Sequence, residues 1–176
     1  MIRNATLEDL PGIQSLYAQA RRFMADNGNP TQWAGGYPWE DMLLEDIARG
    51  ELFVLEEDSL QGVFAFIIGE DPTYRRIEGG QWLSDRPYGT IHRLAGDGKS
   101  RGVLARTVAF CEGRIPHLRI DTHHDNTVMR HLIPKNGFQE CGIIYQPDGT
   151  PRIAYEKLGE GEQPRERFEK RGPWLR

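Results

Sequence analysis

The sequence predicts an α/β protein of the mixed α+β kind: one mixed β-sheet covered by helices, in the order βααβββαβαββ. Three observations carry that prediction. Strand-like apolar runs alternate with segments whose apolar residues recur at helical spacing. One run, Val63-Phe64-Ala65-Phe66-Ile67-Ile68, is apolar on both faces, as a central strand requires. A strand pattern over Tyr88 to Ala95 turns, through glycines and basic residues, straight into a helical pattern over roughly 101–114.

The elements follow in order. Ile2 to Asn4 suits a short first strand, and Thr6-Leu7-Glu8-Asp9 matches a capping box. Leu10, Ile13, Leu16, Tyr17, Ala20, Phe23 and Met24 then mark a first helix that Gly28, Asn29 and Pro30 stop. A loop carrying Trp33 and Tyr37 leads to a second helix over Trp39 to Arg49. Glu51 to Leu55 and Gln61 to Glu70 read as strands joined by an acidic turn. Asp71 to Pro87 is a long polar connection containing Trp82, and long loops in compact domains are often functional.

After the fourth strand, Val103, Leu104, Thr107, Val108, Phe110 and Cys111 form the inward face of a third helix. Leu118 to Thr122 is the next strand. Asp125-Asn126 can cap a fourth helix, about Thr127 to Asn136, with Val128, Met129, Leu132 and Ile133 inward and Gly137 at its end. Phe138 to Tyr145 and Arg152 to Lys157 form a closing hairpin around Pro147-Asp148-Gly149. Residues 1–158 are therefore expected to form a single domain, and 159–176 a charged extension, mobile or loosely docked.

The 176 residues carry a formal net charge of −4, which does not support a general nucleic-acid footprint. No apolar run is long enough to span a bilayer, and the N-terminus does not read as a signal peptide. Cys111 and Cys141 sit in apolar-patterned elements, as buried reduced thiols of a cytoplasmic protein do. Asp121, His123, His124 and Asp125 cluster after the fifth strand. Adjacent histidines point opposite ways on extended backbone, so no metal site is expected.

The turn Lys99-Ser100-Arg101-Gly102-Val103-Leu104 has the make-up of an anion site. The first N–H groups of a helix lack internal partners, and the helix dipole favours negative charge there. Gly96, Gly98 and Gly102 permit close backbone approach, while Lys99 and Arg101 add positive charge. A phosphate or pyrophosphate is the ligand such a turn suits. No full phosphate-loop sequence is present, which counts against a nucleotide-phosphate protein.

The element order, this turn, and Asn126 with Lys135-Asn136-Gly137-Phe138 closing the fourth helix together resemble the GNAT superfamily of acetyl-CoA-dependent N-acetyltransferases. The resemblance covers about residues 1–158. It implies fourth and fifth strands that splay apart, with backbone around Leu94 free to bond the pantetheine arm as an added strand would. It implies a pyrophosphate held by Lys99, Ser100, Arg101, Gly102, Val103 and Leu104, and a pantetheine contact at Asn126. The family's turn runs Gln or Arg, two residues, Gly, one residue, then Gly or Ala. Lys99 departs mildly from it, and Leu104 departs more, by its bulk.

Under that resemblance acetyl-CoA is the cosubstrate, and the protein is an acyltransferase acting on a small-molecule or amino-acid-like amine. Attack on a thioester needs a neutral amine and a place for its proton. Tyr88, Thr90, His92 and Leu94 share a face of the fourth strand by alternation. His92 is the candidate base, or else a hydrogen-bonded structural histidine. Many family members carry a Tyr acid four residues before the Gly of Gly-Phe; here Ile133 stands there. Tyr88, His123, Tyr145 or water are the replacements. Trp33, Tyr37 and Trp82 are candidates for the acceptor pocket wall, and Asp121 and His123 for substrate contacts. The alternative is an acyl-CoA-binding module or sensor without chemistry. A homodimer through the last strands is compatible with the pattern.

Overall fold

The computed structural model describes residues 1–166. Its strands are β1 (Ile2–Asn4), β2 (Leu52–Glu56), β3 (Leu60–Ile68), β4 (Gly89–Gly96), β5 (Leu118–Thr122), β6 (Gln139–Tyr145) and β7 (Pro151–Lys157). The helices are α1 (Leu10–Asp26), α2 (Glu40–Ala48), α3 (Val103–Glu112) and α4 (Thr127–Lys135). The chain order is the predicted one. All strands form one seven-stranded mixed sheet, ordered β1-β2-β3-β4-β5-β7-β6. β4 and β5 are parallel, and every other neighbouring pair is antiparallel.

The apolar pattern explains the layers. β3 is third in the sheet, and its Val63, Phe64, Ala65 and Phe66 are buried. Phe64 and Phe66 pack with Leu104, Val108 and Cys111 of α3 and Ile133 of α4. Val63 and Ala65 pack with Ile13, Leu16 and Tyr17 of α1 and Leu43 of α2. The period of two along a strand thus feeds two cores, one on each face. Val128 is a correction: it is exposed. At 3.6 residues per turn it lies about 140° from Ile133, outside the stripe that Met129, Leu132 and Ile133 bury.

A third, smaller core holds Tyr74, Trp82, Leu83, Tyr88, Cys141 and Ile144. It lies beneath the long 71–87 connection. Arg119 is sandwiched there, 3.9 Å from both the Trp82 and Tyr88 ring centroids, with Glu156 beside it at 3.2 Å. Glu156 also accepts the Leu83 amide at 2.6 Å, so this buried carboxylate fixes both loop and strand. The chain after β7 begins by docking on the same loop. Arg165 N donates to Leu83 O at 2.9 Å, and Glu162 meets Arg86 at 2.7 Å and His117 at 2.9 Å. Trp174 and Leu175, also placed in the extension by sequence, lie outside the described residues.

Candidate active site

β4 and β5 pair only at Gly89↔Leu118 and Thr90↔Arg119. Beyond those pairs the strands part. A bulge in β4 accompanies the parting: Ala65 pairs with His92 but Val63 with Ala95, so Arg93 and Leu94 together face Phe64. Arg93 takes a left-handed φ of 52°, and Tyr17 Oη donates to its carbonyl at 2.8 Å. The bulge corrects the simple alternation beyond His92, so Leu94 is not placed by the two-residue period.

The gap opens into a cavity of about 690 Å³. Its strand walls are Ile91, His92, Arg93 and Leu94 on one side and Ile120, Asp121 and Thr122 on the other. The Thr122 hydroxyl is buried and has no hydrogen-bond partner among the described residues. That leaves it available to a ligand.

His92 Nε2 lies 2.9 Å from Asp71 Oδ2. Asp71 also accepts from the Thr73 amide at 2.8 Å and the Thr73 hydroxyl at 2.7 Å. Burial raises the Asp71 carboxyl pKa, but the bonds from His92 and Thr73 outweigh it and hold the group at about 2. A standing anion therefore orients the imidazole through Nε2 and leaves Nδ1 as its free nitrogen. Tyr74 and Tyr88 share the His92 side of β4. Tyr88 Oη accepts from the Asp71 amide at 2.8 Å but does not line the cavity. It positions Asp71. Tyr74 Oη donates to Asp121 Oδ1 at 2.5 Å. Burial raises the Asp121 carboxyl pKa, and His92 and Tyr74 only partly offset it.

The connection between α1 and α2 supplies an aromatic wall. Trp33, Tyr37 and Trp39 line the cavity, with successive ring centroids 6.2 and 5.2 Å apart. Arg93, half-buried and also lining the cavity, is paired with Asp46 at 2.7 Å. Asn126 lines the cavity and caps α4, accepting from Met129 N at 3.1 Å and donating to Gln32 Oε1 at 3.0 Å.

The anion turn lies past the end of β4 and does not line this cavity. Gly102 is the N-cap of α3, with φ 67° and no capping side chain, so the first helical amides stay free. Lys99 N and Ser100 N are taken by Asp97 Oδ1, at 2.9 and 2.7 Å, which sequence reading overlooked. The signal was present: Asp97-Gly98-Lys99-Ser100 is a good Asx-turn sequence. Leu104 buries its side chain in the main core, so its bulk is spent inward rather than in the turn.

Two candidate pocket residues stand elsewhere. Trp82 is buried in the third core, with Nε1 donating to Tyr74 O at 2.8 Å; its part of the loop folds as packing, while Asp71 and Thr73 at the start of the loop line the cavity. His123 is outside the cavity lining, and its Nδ1 accepts the Asp125 amide at 3.0 Å, which ties up the turn before α4. Of the replacement acids, Tyr145 is exposed and bonded to Glu78. Ile133 is fully buried. Cys111 and Cys141 are buried outside the cavity, and burial pushes both thiols up to about 12. Among the described residues no cluster has the ligands for a metal ion, and no helix is long and apolar enough to cross a membrane.

The sheet thus parts beside a parallel strand pair, with an uncapped helix N-terminus past the bulged strand. No protein-family profile and no curated protein matches the chain. Solved structures do. A GNAT-family acetyltransferase from Streptococcus agalactiae is 34% identical, with 91% of this chain and 95% of that one aligned at a TM-score of 0.83. A GNAT-family acetyltransferase from Listeria monocytogenes is 20% identical over 90% of this chain and 94% of its own, TM-score 0.67. A ribosomal-protein-alanine N-acetyltransferase from Brucella melitensis shares the fold at 21% identity, 90% and 99% coverage, TM-score 0.57. The chain belongs to the GNAT family of acetyltransferases.

Proposed function

We propose that the protein moves an acetyl group from acetyl-CoA to the amine of a small-molecule or amino-acid-like acceptor, by direct transfer in a ternary complex. The carrying observation is the His92–Asp71 pair on the wall of the gap between β4 and β5. Acetyl-CoA supplies the thioester carbonyl. The free amides of Gly102, Val103 and Leu104, with Lys99, Ser100 and Arg101 around them, hold the pyrophosphate. Backbone near Leu94, the orphan Thr122 hydroxyl and Asn126 receive the pantetheine arm. Trp33 and Tyr37 wall the acceptor, and Asp121 attracts its ammonium. His92 takes the amine proton as the new C–N bond forms; the C–S bond then breaks, its electron pair leaving with CoA as the thiolate, which takes a proton from water or from the protonated His92. Tyr88 acts only through Asp71. No acyl-enzyme is needed, because neither thiol reaches the cavity.

The proposal extends to one domain over residues 1–158 with an extension after it. It further takes the protein as cytoplasmic, with neither nucleic acid nor membrane as partner, and compatible with a homodimer. A second reading, an acyl-CoA-binding module without chemistry, is favoured by the buried Ile133, which leaves α4 without the family's usual Tyr acid. A screen of amines with acetyl-CoA, following thiol release and the acetylated product together, separates them. Equal release and product, slowed in His92→Ala, supports transfer. Tight acetyl-CoA binding with no thiol release from any amine or protein acceptor supports the module.

A further inference from the structure

Arg152, at the start of β7, is half-buried and lines the cavity. Its Nη1 donates to Pro151 O and its Nη2 to Gln32 O, each at a long 3.3 Å. A guanidinium has five N–H donors, so most of its capacity is unspent. Among the described residues, no carboxylate pairs with it. The other charged groups on the wall are engaged. Arg93 has Asp46, though its buried Nε has no partner among the described residues; His92 has Asp71, and Asp121 has Tyr74. Asp148 is exposed and holds its own hairpin, accepting the Thr150 amide at 2.9 Å. A partly desolvated, unpaired guanidinium is costly unless a ligand anion offsets it.

The cavity is thus polarised. Asp71, Asp121 and His92 make one end anionic and proton-accepting, which suits an ammonium that must lose its proton. Arg152 makes a cationic point close enough to Asp121 and Asp148 to feel their charge but in ion-pair contact with neither, in the planar fork geometry that matches a carboxylate. The candidate pyrophosphate turn does not line the cavity, so Arg152 is not required there. The volume of about 690 Å³ lies within the range of small-molecule sites.

We infer that Arg152 anchors a carboxylate of the acceptor, so the acceptor is an amine that carries its own carboxylate: an amino acid or a close relative of one. This rests on the acetyltransferase reading and sharpens it. An uncharged or purely cationic amine leaves Arg152 unpaired, and is the poorer substrate.

The test compares each common amino acid with its primary amide, which keeps the shape and removes the carboxylate charge. Acetyl-CoA affinity, measured separately by calorimetry, reports on the underlying reading. The best acid is expected to exceed its amide in kcat/KM by about tenfold to hundredfold, the worth of a charge-assisted bond. Arg152→Gln should raise KM for the acid, collapse that ratio toward one, and leave KM for acetyl-CoA in place; Arg152→Lys should recover part of the ratio. If no acceptor turns over, the same acids and amides are titrated into the CoA-loaded protein, where preferential binding of the acid supports the anchor. An acid-to-amide ratio at or below one, in turnover or in binding, overturns the proposal. So does an unchanged ratio in a folded Arg152→Gln protein.

Discussion

The two ends of β4 differ in what their polar neighbours do. At Gly89 and Thr90 the strand is paired on both edges; past them the β5 edge is open. Beside the closed end, Arg119 and Glu156 are buried against each other, and the aromatic rings of Trp82 and Tyr88 sandwich the guanidinium. Those charges are satisfied by the fold, although the buried Thr90 hydroxyl beside them has no hydrogen-bond partner among the described residues and does not line the cavity. Beside the open end, His92 has one ring nitrogen bonded and one free, Thr122 has no partner, and Arg152 has only two long bonds to carbonyls. Those groups have hydrogen-bonding capacity left over. The same strand therefore carries a region built for stability and one built for ligands, the change falling after Thr90 where pairing with β5 stops.

The largest expected effect is at the open end. His92→Ala should lower acetyl-transfer kcat by about 10²–10⁴-fold, the range of a lost general base, with the thermal midpoint almost unchanged. A collapsed midpoint with unaltered turnover would make His92 structural and erase the contrast. At the closed end the balance reverses. Glu156→Ala leaves Arg119 buried without its anion and strips the Leu83 amide of its acceptor. Chemical denaturation should show a loss of about 3–5 kcal/mol. A loss under about 1 kcal/mol would mean that the third core does not depend on the pair.

A smaller effect sharpens the comparison at the turn beyond the bulge. Nothing crowds a Cβ at Gly102, so its glycine is needed for φ 67° alone. Gly102→Val should cost about 1–2 kcal/mol and weaken acetyl-CoA binding, while Gly102→Asn, which tolerates that φ, should cost less. Equal losses for both would point to sterics instead. The smallest effect is in acid. The Asp71 carboxyl is depressed from its ordinary 3.8 to about 2 in the fold. Its contribution to stability is complete above the ordinary value and is lost as pH falls through about 2. Asp71→Asn should flatten the acid limb of a stability–pH curve between those values; an unaltered limb would remove Asp71 from the account.

Much of this was legible in the sequence because it rests on local pattern. The order of elements follows from periodicity, the α3 turn from its glycines, and the face that carries His92 from alternation along one strand. What was not legible depends on contacts between distant segments. Asp71 meets His92 across a sequence separation of 21, and no periodicity marks such a pair. The bulge at Arg93 has no glycine to announce it; a partly buried bond to Asp46 and one from Tyr17 hold a residue type that avoids positive φ. Trp82 looked like pocket wall because it lies in a long polar loop. The loop instead closes its own small core around Tyr74 and Tyr88. Arg152 read as a hairpin residue, and only the folded cavity shows that its charge is unpaired.

The central claim is that the gap between β4 and β5 is an acyl-CoA cleft. Calorimetric titration of the purified protein with acetyl-CoA, with ATP and NAD as controls, tests it most directly. Acetyl-CoA is expected to bind with micromolar affinity, and neither control with comparable strength. Absence of acetyl-CoA binding, or equal binding of all three, would contradict it.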